Sequence, residues 1–133
     1  MIDLISNARN CIGVKFRHQG RTKQGGMDCA GLIAFCLSQE NIKFNDVQHY
    51  ARNSGSINLE NYFNLYFSKT DKISENCIVT LEWQIKKVPC HCGIIASDKH
   101  GFTLIHAYAR ARSVVEQPLD DFWINKISSI YRI

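Results

Sequence analysis

The sequence predicts an α+β fold in which N-terminal helices pack on a C-terminal antiparallel sheet. Apolar residues recur at helical spacing in the first half of the chain, whereas short segments rich in β-branched and aromatic residues fill the second half. The connections between those later segments are short, which favours antiparallel neighbours. A chain of 133 residues is long enough to bury one core, so we expect a single domain over residues 1–133.

Three segments of the first half have a helical period. The predicted helices span residues 2–11, 28–39 and 59–67. Asp28 has a side-chain oxygen suited to capping the second helix, and Gly13 would end the first. The residues between these helices are polar or rich in glycine, so residues 14–27 and 41–58 are predicted to be loops.

The second half reads as strands separated by turn residues. The predicted strands span residues 77–83, 88–96, 102–109, 113–116 and 127–133, with one or two helical turns over residues 119–124. Helices first and strands afterwards are the order expected when helices cover one face of an antiparallel sheet.

The composition excludes several classes of protein. Hydrophobic residues make up 45% of the chain and charged residues 21%, as in ordinary globular proteins. No apolar run of about 18 residues occurs, so no membrane span is expected. The net charge of +4 comes without a block of consecutive basic residues, so we do not expect nucleic-acid binding.

The N-terminus and the cysteines indicate the compartment of synthesis. The first residues lack a basic stretch followed by an apolar one, which predicts cytoplasmic synthesis without a signal peptide. The six cysteines do not follow the spacing of a zinc ribbon and are predicted to be free thiols.

Cys29 is the candidate nucleophile. It would lie in the first turn of the helix that Asp28 caps, where unpaired backbone N–H groups and the helix dipole stabilise an anion. The pKa of its thiol should therefore fall. Taken alone, a cysteine at this position is more often a small buried cysteine in a core helix.

Two histidines supply what a nucleophilic cysteine needs. If residues 98–101 form a hairpin loop, Gly93 lies opposite His106 and His91 lies opposite Tyr108, so both histidines share one face of the sheet. A loop of odd length would place them on opposite faces. With both histidines on one face, His91 would act as general base for Cys29 and His106 would orient His91. The helix N-terminus would donate hydrogen bonds to the oxyanion.

A metal site is the alternative use of this region. Cys90, His91 and Cys92 are soft ligands, with further histidines nearby. Neighbouring residues of a strand point to opposite faces, however, so these three cannot readily share one ion. We therefore predict neither a metal nor a cofactor, and assign Cys90 and Cys92 to core packing. His18 is predicted to contact the substrate.

The chain resembles the NlpC/P60 cysteine peptidases, and is most similar to their phage-tail-associated branch. The segments that carry the resemblance are residues 12–19, 26–32, 90–94, 105–108 and 114–119, together with Trp123 and the terminal Tyr131-Arg132. The resemblance implies a papain-like core with Cys29 as nucleophile, His91 as base and His106 as third member. It also implies cleavage of peptidoglycan stem peptides, typically between D-γ-glutamate and a diamino acid.

Three positions depart from the family pattern. Many members have Tyr at the position of Phe16, Ser at that of Ala30, and a Gly-Asp pair at that of Glu75-Asn76. The three catalytic positions are intact, and the departures concern the substrate pocket. We expect Asp28, Phe16, Ala30 and His18 to line that pocket.

The sequence thus predicts a cysteine endopeptidase that cleaves peptidoglycan peptides. Because no signal peptide is expected, the enzyme would reach the cell wall or periplasm in a phage-tail-like particle, with tail structural proteins as partners. One alternative is a related cysteine amidase or acyltransferase that acts on another amide or ester. The other is a structural tail protein whose catalytic site has decayed.

Overall fold

The predicted α+β architecture is confirmed in a computed structural model, which describes residues 2–46, 50, 59–82 and 89–133. Its helices are α1 (Leu4–Arg9), α2 (Cys29–Gln39), α3 (Glu60–Phe63) and α4 (Asp121–Ile124). Its strands are β1 (Arg21–Thr22), β2 (Gly26–Met27), β3 (Ser68–Thr70), β4 (Ile78–Glu82), β5 (Pro89–Asp98), β6 (Gly101–Tyr108), β7 (Ser113–Pro118) and β8 (Ile127–Arg132). A 3-10 turn at Ala109–Ala111 joins β6 to β7.

The larger sheet has the strand order β3-β8-β4-β5-β6-β7, and each of its strand pairs is antiparallel. Strand β7 lies at one edge, where it can include Pro118 because a proline removes no ladder hydrogen bond that an edge strand needs. The sheet therefore begins and ends on short or proline-terminated strands, while β4 and β5, which lie at its centre, are largely buried.

The structure departs from the sequence prediction at three short elements. The third helix ends at Phe63, earlier than predicted, and the chain turns before Ser68 begins β3, which pairs with β8. That strand was not predicted, since its three residues carry no apolar alternation. The β1–β2 hairpin lies within the predicted loop 14–27. Residues 47–49 and 51–58 of the second predicted loop, and residues 83–88, lie outside the described residues.

The two faces of the sheet pack against different elements. On one face Ile94 and Ala96 of β5 join Leu32 and Cys36 of α2 in the main core. On the other face Ile95, which follows Ile94, packs in a smaller cluster that includes Leu81, Leu104, Leu119 and Trp123. Alternation along β5 thus divides the core into a layer that faces α1, α2 and α3 and a layer that faces α4.

The hairpin β5–β6 has the parity that the sequence predicts. Ser97 pairs with Phe102 and Ile94 with Ile105, so the register continues toward Gly93 and His106. The connection is tighter than predicted, because Asp98 itself pairs with Gly101 and leaves a two-residue turn. Gly101 has a φ of +131°, which glycine adopts at low cost.

Two polar contacts hold α1 against the sheet. Arg9 donates to both carboxylate oxygens of Glu116, over 3.0 and 2.8 Å, and to the carbonyl of Ser97. Asn76, which has a left-handed φ of 70°, accepts from the Leu4 amide and donates to the Ile2 carbonyl. Asparagine tolerates this conformation better than most residues, and its side chain satisfies backbone groups at the start of α1.

Candidate active site

Cys29 is the first residue of α2, as the sequence predicts. Asp28 caps the helix in extended conformation, and its Oδ1 atom accepts a hydrogen bond from the Gly31 amide over 2.9 Å. Glycine is required at position 31, because a Cβ atom there would come within 2.1 Å of the Gly20 carbonyl oxygen. The helix start therefore packs directly on the preceding loop, which places Cys29 at the edge of the main core.

The thiol of Cys29 lies between α2 and β5. Its Sγ atom is 4.0 Å from the Cys90 carbonyl oxygen, and the side chains of Cys92 and His91 lie near enough to act on its pKa. The Cys92 side chain is the largest cause that lowers the pKa of Cys29; burial raises that pKa, and the His91 side chain and its charge lower it further. The net direction is downward, which favours the thiolate.

Cys92 can act as a hydrogen-bond donor to this thiolate. It is fully buried, and burial together with the neighbouring Cys29 raises its pKa well above the ordinary value, so it stays protonated and can donate. The sequence prediction assigned Cys92 to core packing alone. Strand alternation already places Cys92 on the face toward α2, and this was the available indication that it could meet Cys29.

The two histidines form the predicted pair. The Nε2 atom of His91 lies 2.8 Å from the Nδ1 atom of His106, and both side chains are buried. The far nitrogen of His106, Nε2, lies 2.6 Å from Oε1 of Gln117 on β7. The structure thus extends the predicted row of polar groups by one residue, since Gln117 was not among the predicted site residues.

Aromatic rings enclose His106. Tyr108 stacks on its imidazole with ring centroids 4.9 Å apart, and Trp123 meets it edge-on at 4.8 Å. Burial is the main cause that lowers the pKa of His106 to about 3, and the charge of His91 acts in the same direction. His106 is therefore neutral at neutral pH.

Asp28 does more than cap the helix. It is 3% exposed, and its two oxygens accept from the Gln19 amide, the Arg21 guanidinium and the Tyr50 hydroxyl, in addition to the Gly31 amide. Arg21 also donates from Nε to Oδ2 of Asp46 over 2.7 Å, so its guanidinium joins Asp28 to Asp46. These contacts join the loop before the nucleophile to Tyr50, and a direct contact of Asp28 with substrate stays a prediction.

The other predicted pocket residues differ in their surroundings. Phe16 is half-buried against the main core, and Ala30 is buried. His18 contacts the Tyr50 carbonyl through Nε2 at 2.9 Å and meets the Tyr50 ring edge-on. A cleft of about 430 Å³ is lined by residues 17–22, Gly25 and Gly26. Among the residues that the structure describes, no cluster of three or more acidic, histidine or cysteine side chains could hold a metal ion.

These features define a class of fold: a papain-like α+β architecture with a thiol at a helix start beside a histidine pair. Two solved structures with this fold are NlpC/P60 family proteins. One is an NlpC/P60 family protein from Bacillus cereus ATCC 10987, with a TM-score of 0.72 and 20% identity over 98% of this chain. Another is a protein from Staphylococcus aureus subsp. aureus Mu50, described as similar to lipoprotein and of the NLP/P60 family, with a TM-score of 0.70 and 12% identity over 98% of this chain.

The likeness to these proteins is one of fold. The chain spans 39% of the length of the Bacillus cereus protein and 40% of the length of the Staphylococcus aureus protein. No protein-family model matches the sequence, and no curated protein matches it. Within the described residues, none of the helices is long and apolar enough to cross a membrane.

Proposed function

We propose that the protein is a cysteine peptidase that hydrolyses an amide bond in peptidoglycan stem peptides, between D-γ-glutamate and a diamino acid. The observation that carries the proposal is the buried pair of His91 and His106, with ring nitrogens 2.8 Å apart, near the Cys29 thiol at the start of α2. A thiolate, a base and a group that orients the base are the parts that nucleophilic amide hydrolysis needs.

The proposed reaction begins with the Cys29 thiolate attacking the carbonyl carbon. The oxyanion that forms is stabilised by N–H groups in the first turn of α2. Protonated His91 then gives its proton to the leaving amine, the C–N bond breaks, and the acyl group stays on Cys29 as a thioester. His91 next takes a proton from water, whose oxygen attacks the thioester. The C–S bond then breaks, which releases the acid and restores the Cys29 thiolate beside protonated His91.

The proposed substrate site has few hydroxyl groups. Phe16 and Ala30 stand where many NlpC/P60 proteins have hydroxyl side chains, so the substrate would lack hydroxyl partners there. His18 and the cleft lined by Arg17 and Arg21 supply polar contacts at the entrance. We assign the peptide's binding to these residues, with Asp28 holding the loop that bears them.

Delivery in a phage-tail-like particle to the cell wall or periplasm, with tail structural proteins as partners, is part of this proposal. Its support is the sequence resemblance to the phage-tail-associated branch. Cosedimentation of the protein with purified tail particles tests it, and a protein that stays in the supernatant with every such particle would contradict it.

The decisive experiment compares wild type and Cys29→Ala on purified peptidoglycan, with the released muropeptides identified by mass spectrometry. Wild type is expected to generate new D-γ-glutamyl carboxyl ends, and Cys29→Ala none. Cys77→Ala is the matched control, since Cys77 is a buried cysteine in the smaller cluster. Equal product release by wild type and Cys29→Ala would refute the proposal.

Two other functions use the same observations. An amidase or acyltransferase would use the same thiolate and histidines but yield a different product, which the mass of that product reveals. The replacement of hydroxyl side chains by Phe16 and Ala30 favours a decayed, structural protein instead. In that case a thiol probe at neutral pH should label Cys29 no faster than the other cysteines.

A further inference from the structure

We propose that Gln117 is a positioning residue: its amide oxygen fixes the proton on His106 and thereby directs the lone pair of His91 toward Cys29. This inference rests on the function proposed above and adds a fourth residue to that site.

The contact between Gln117 and His106 determines which nitrogen carries the proton. Oε1 of Gln117 lies 2.6 Å from Nε2 of His106, and an amide oxygen can only accept a hydrogen bond. Neutral His106 must therefore carry its proton on Nε2. Its Nδ1 atom is then left with a lone pair, which faces His91.

The position of the proton on His91 follows from its position on His106. Nδ1 of His106 accepts, so Nε2 of His91 must donate across the 2.8 Å that separates them. In neutral His91 this leaves Nδ1 without a proton, ready to accept the Cys29 proton. When that proton moves from Sγ to Nδ1, His91 becomes an imidazolium that donates from both nitrogens, and the thiolate remains beside it.

The reverse orientation of the Gln117 amide would prevent neutral His91 from accepting the Cys29 proton. An NH2 group directed at His106 would require a lone pair on its Nε2 and hence a proton on its Nδ1. Nε2 of His91 would then have to accept, and Nδ1 of neutral His91 would present a proton to Cys29. One amide orientation thus decides whether His91 is a base or a donor toward the thiol.

The sheet explains why Gln117 can reach His106. Val115 pairs with His106 across β6 and β7, and Gln117 lies two residues further along β7, paired with Leu104. Residues two apart on a strand share a face, so Gln117 is the diagonal neighbour of His106.

A neutral amide suits this position for an electrostatic reason. Tyr108 and Trp123 enclose His106, and in such an environment hydrogen bonds and charges have larger effects than in water. A carboxylate in place of Gln117 would also accept from Nε2 of His106, but it would add a negative charge beside the histidine pair. The amide orients His106 without adding charge.

The test compares Gln117→Leu and Gln117→Glu with wild type, and uses Glu116→Gln as matched control for a general disturbance of β7. Nitrogen-15 NMR of the imidazoles reports the tautomer without any substrate. Wild type is expected to show His106 protonated on Nε2. Gln117→Leu should lose this single tautomer, whereas Gln117→Glu and Glu116→Gln should keep it.

Kinetics on muropeptides supply the second measurement. Gln117→Leu should lower kcat about tenfold or more, because a base in the wrong tautomer is inactive, with KM nearly unchanged. Gln117→Glu should move the upper inflection of the kcat pH profile upward, since its charge stabilises an imidazolium. A wild-type His106 protonated on Nδ1, or a Gln117→Leu variant with the wild-type tautomer and kcat, would overturn the proposal.

Failure of the proposed function gives a different result. If Cys29→Ala cleaved peptidoglycan like wild type, the function would be wrong while the tautomer of His106 could still be read in the same spectra. A wrong tautomer in an enzyme that requires Cys29 would refute only the role of Gln117.

Discussion

The ring nitrogens of His91 and His106 lie 2.8 Å apart, although the two residues are 15 positions apart in the chain. They meet because the turn between β5 and β6 keeps both on one face of the sheet. Gly93, which adjoins this contact, has no room for a side chain: a Cβ there would lie 2.9 Å from the Ile105 carbonyl oxygen and 3.1 Å from Cβ of His106. The pair thus depends on strand register and on a glycine beside it.

Removing the second imidazole should lower turnover more than substrate binding. His106→Phe keeps a ring between Tyr108 and Trp123 but cannot accept from His91. We expect kcat to fall by about 100-fold with KM changed by less than about threefold, since proton transfer is lost and binding is not. Steady-state kinetics on a purified muropeptide measure both values.

His106→Asn is the companion variant, because an amide oxygen can still accept from His91 Nε2. It should retain more kcat than His106→Phe. Equal kcat in both variants would show that acceptance by this side chain is not its contribution.

His106 should also make stability depend on pH. The pKa of His106 in the folded protein is about 3, whereas an unfolded histidine titrates near the ordinary value of 6.5. Between these values the unfolded state binds more protons, so the free energy of unfolding should fall as pH drops from 6.5 toward 3. One such group gives a slope of up to about 1.4 kcal/mol per pH unit.

Urea denaturation at several pH values measures this slope in wild type and in His106→Phe. The variant should have the shallower dependence in that range. His100→Gln, in the exposed turn after β5, is the control and should keep the wild-type slope. Identical slopes in wild type and His106→Phe would contradict the assignment of a neutral buried imidazole.

Cys92 should tune the nucleophile. Cys92→Ala removes the thiol that donates to Cys29, so the pKa of Cys29 should rise and its alkylation at neutral pH should slow. Cys92→Ser keeps a donor of similar size and should leave the pKa of Cys29 closer to that of wild type. The measurement is the iodoacetamide rate against pH, followed at Cys29 by mass spectrometry.

The result against this prediction would be a pH profile of Cys29 alkylation that is the same in Cys92→Ala as in wild type. In that case His91 and the start of α2 alone would set the reactivity of the thiol.

Asp28 should contribute to stability through its several partners. Asp28→Ala removes the cap of α2 and leaves the Arg21 guanidinium with one carboxylate fewer. We expect a loss of about 2–3 kcal/mol in the free energy of unfolding, more than a helix cap alone provides. Thermal or urea denaturation measures it.

Asp3→Ala is the matched control, since Asp3 caps α1 in an exposed position with Ser6 as its partner. It should lose about 1 kcal/mol or less. A loss of equal size at Asp28 and Asp3 would mean that the contacts of Asp28 with Arg21 and Tyr50 add nothing.

Local sequence patterns were sufficient for much of this site. Asp28 followed by an apolar run predicted the start of α2 and the position of Cys29, because capping depends on neighbouring residues. The turn residues after Ser97 predicted a hairpin of even length, and alternation then placed His91 and His106 together. By contrast, β3 was missed because its pairing with β8 joins segments about 60 residues apart, which no local period records.

The sequence by itself determined the α+β order, the capped helix that begins at Cys29, and the shared face of His91 and His106. Only the tertiary structure decided that Cys92 lies near Cys29 and that Gln117 contacts His106. It also decided that Arg21 and Tyr50 donate hydrogen bonds to Asp28. The physical reason is the range of the interactions. Caps and turns act between residues close in the chain, whereas the surroundings of a buried side chain depend on how α2 packs on the sheet and on which strands lie side by side.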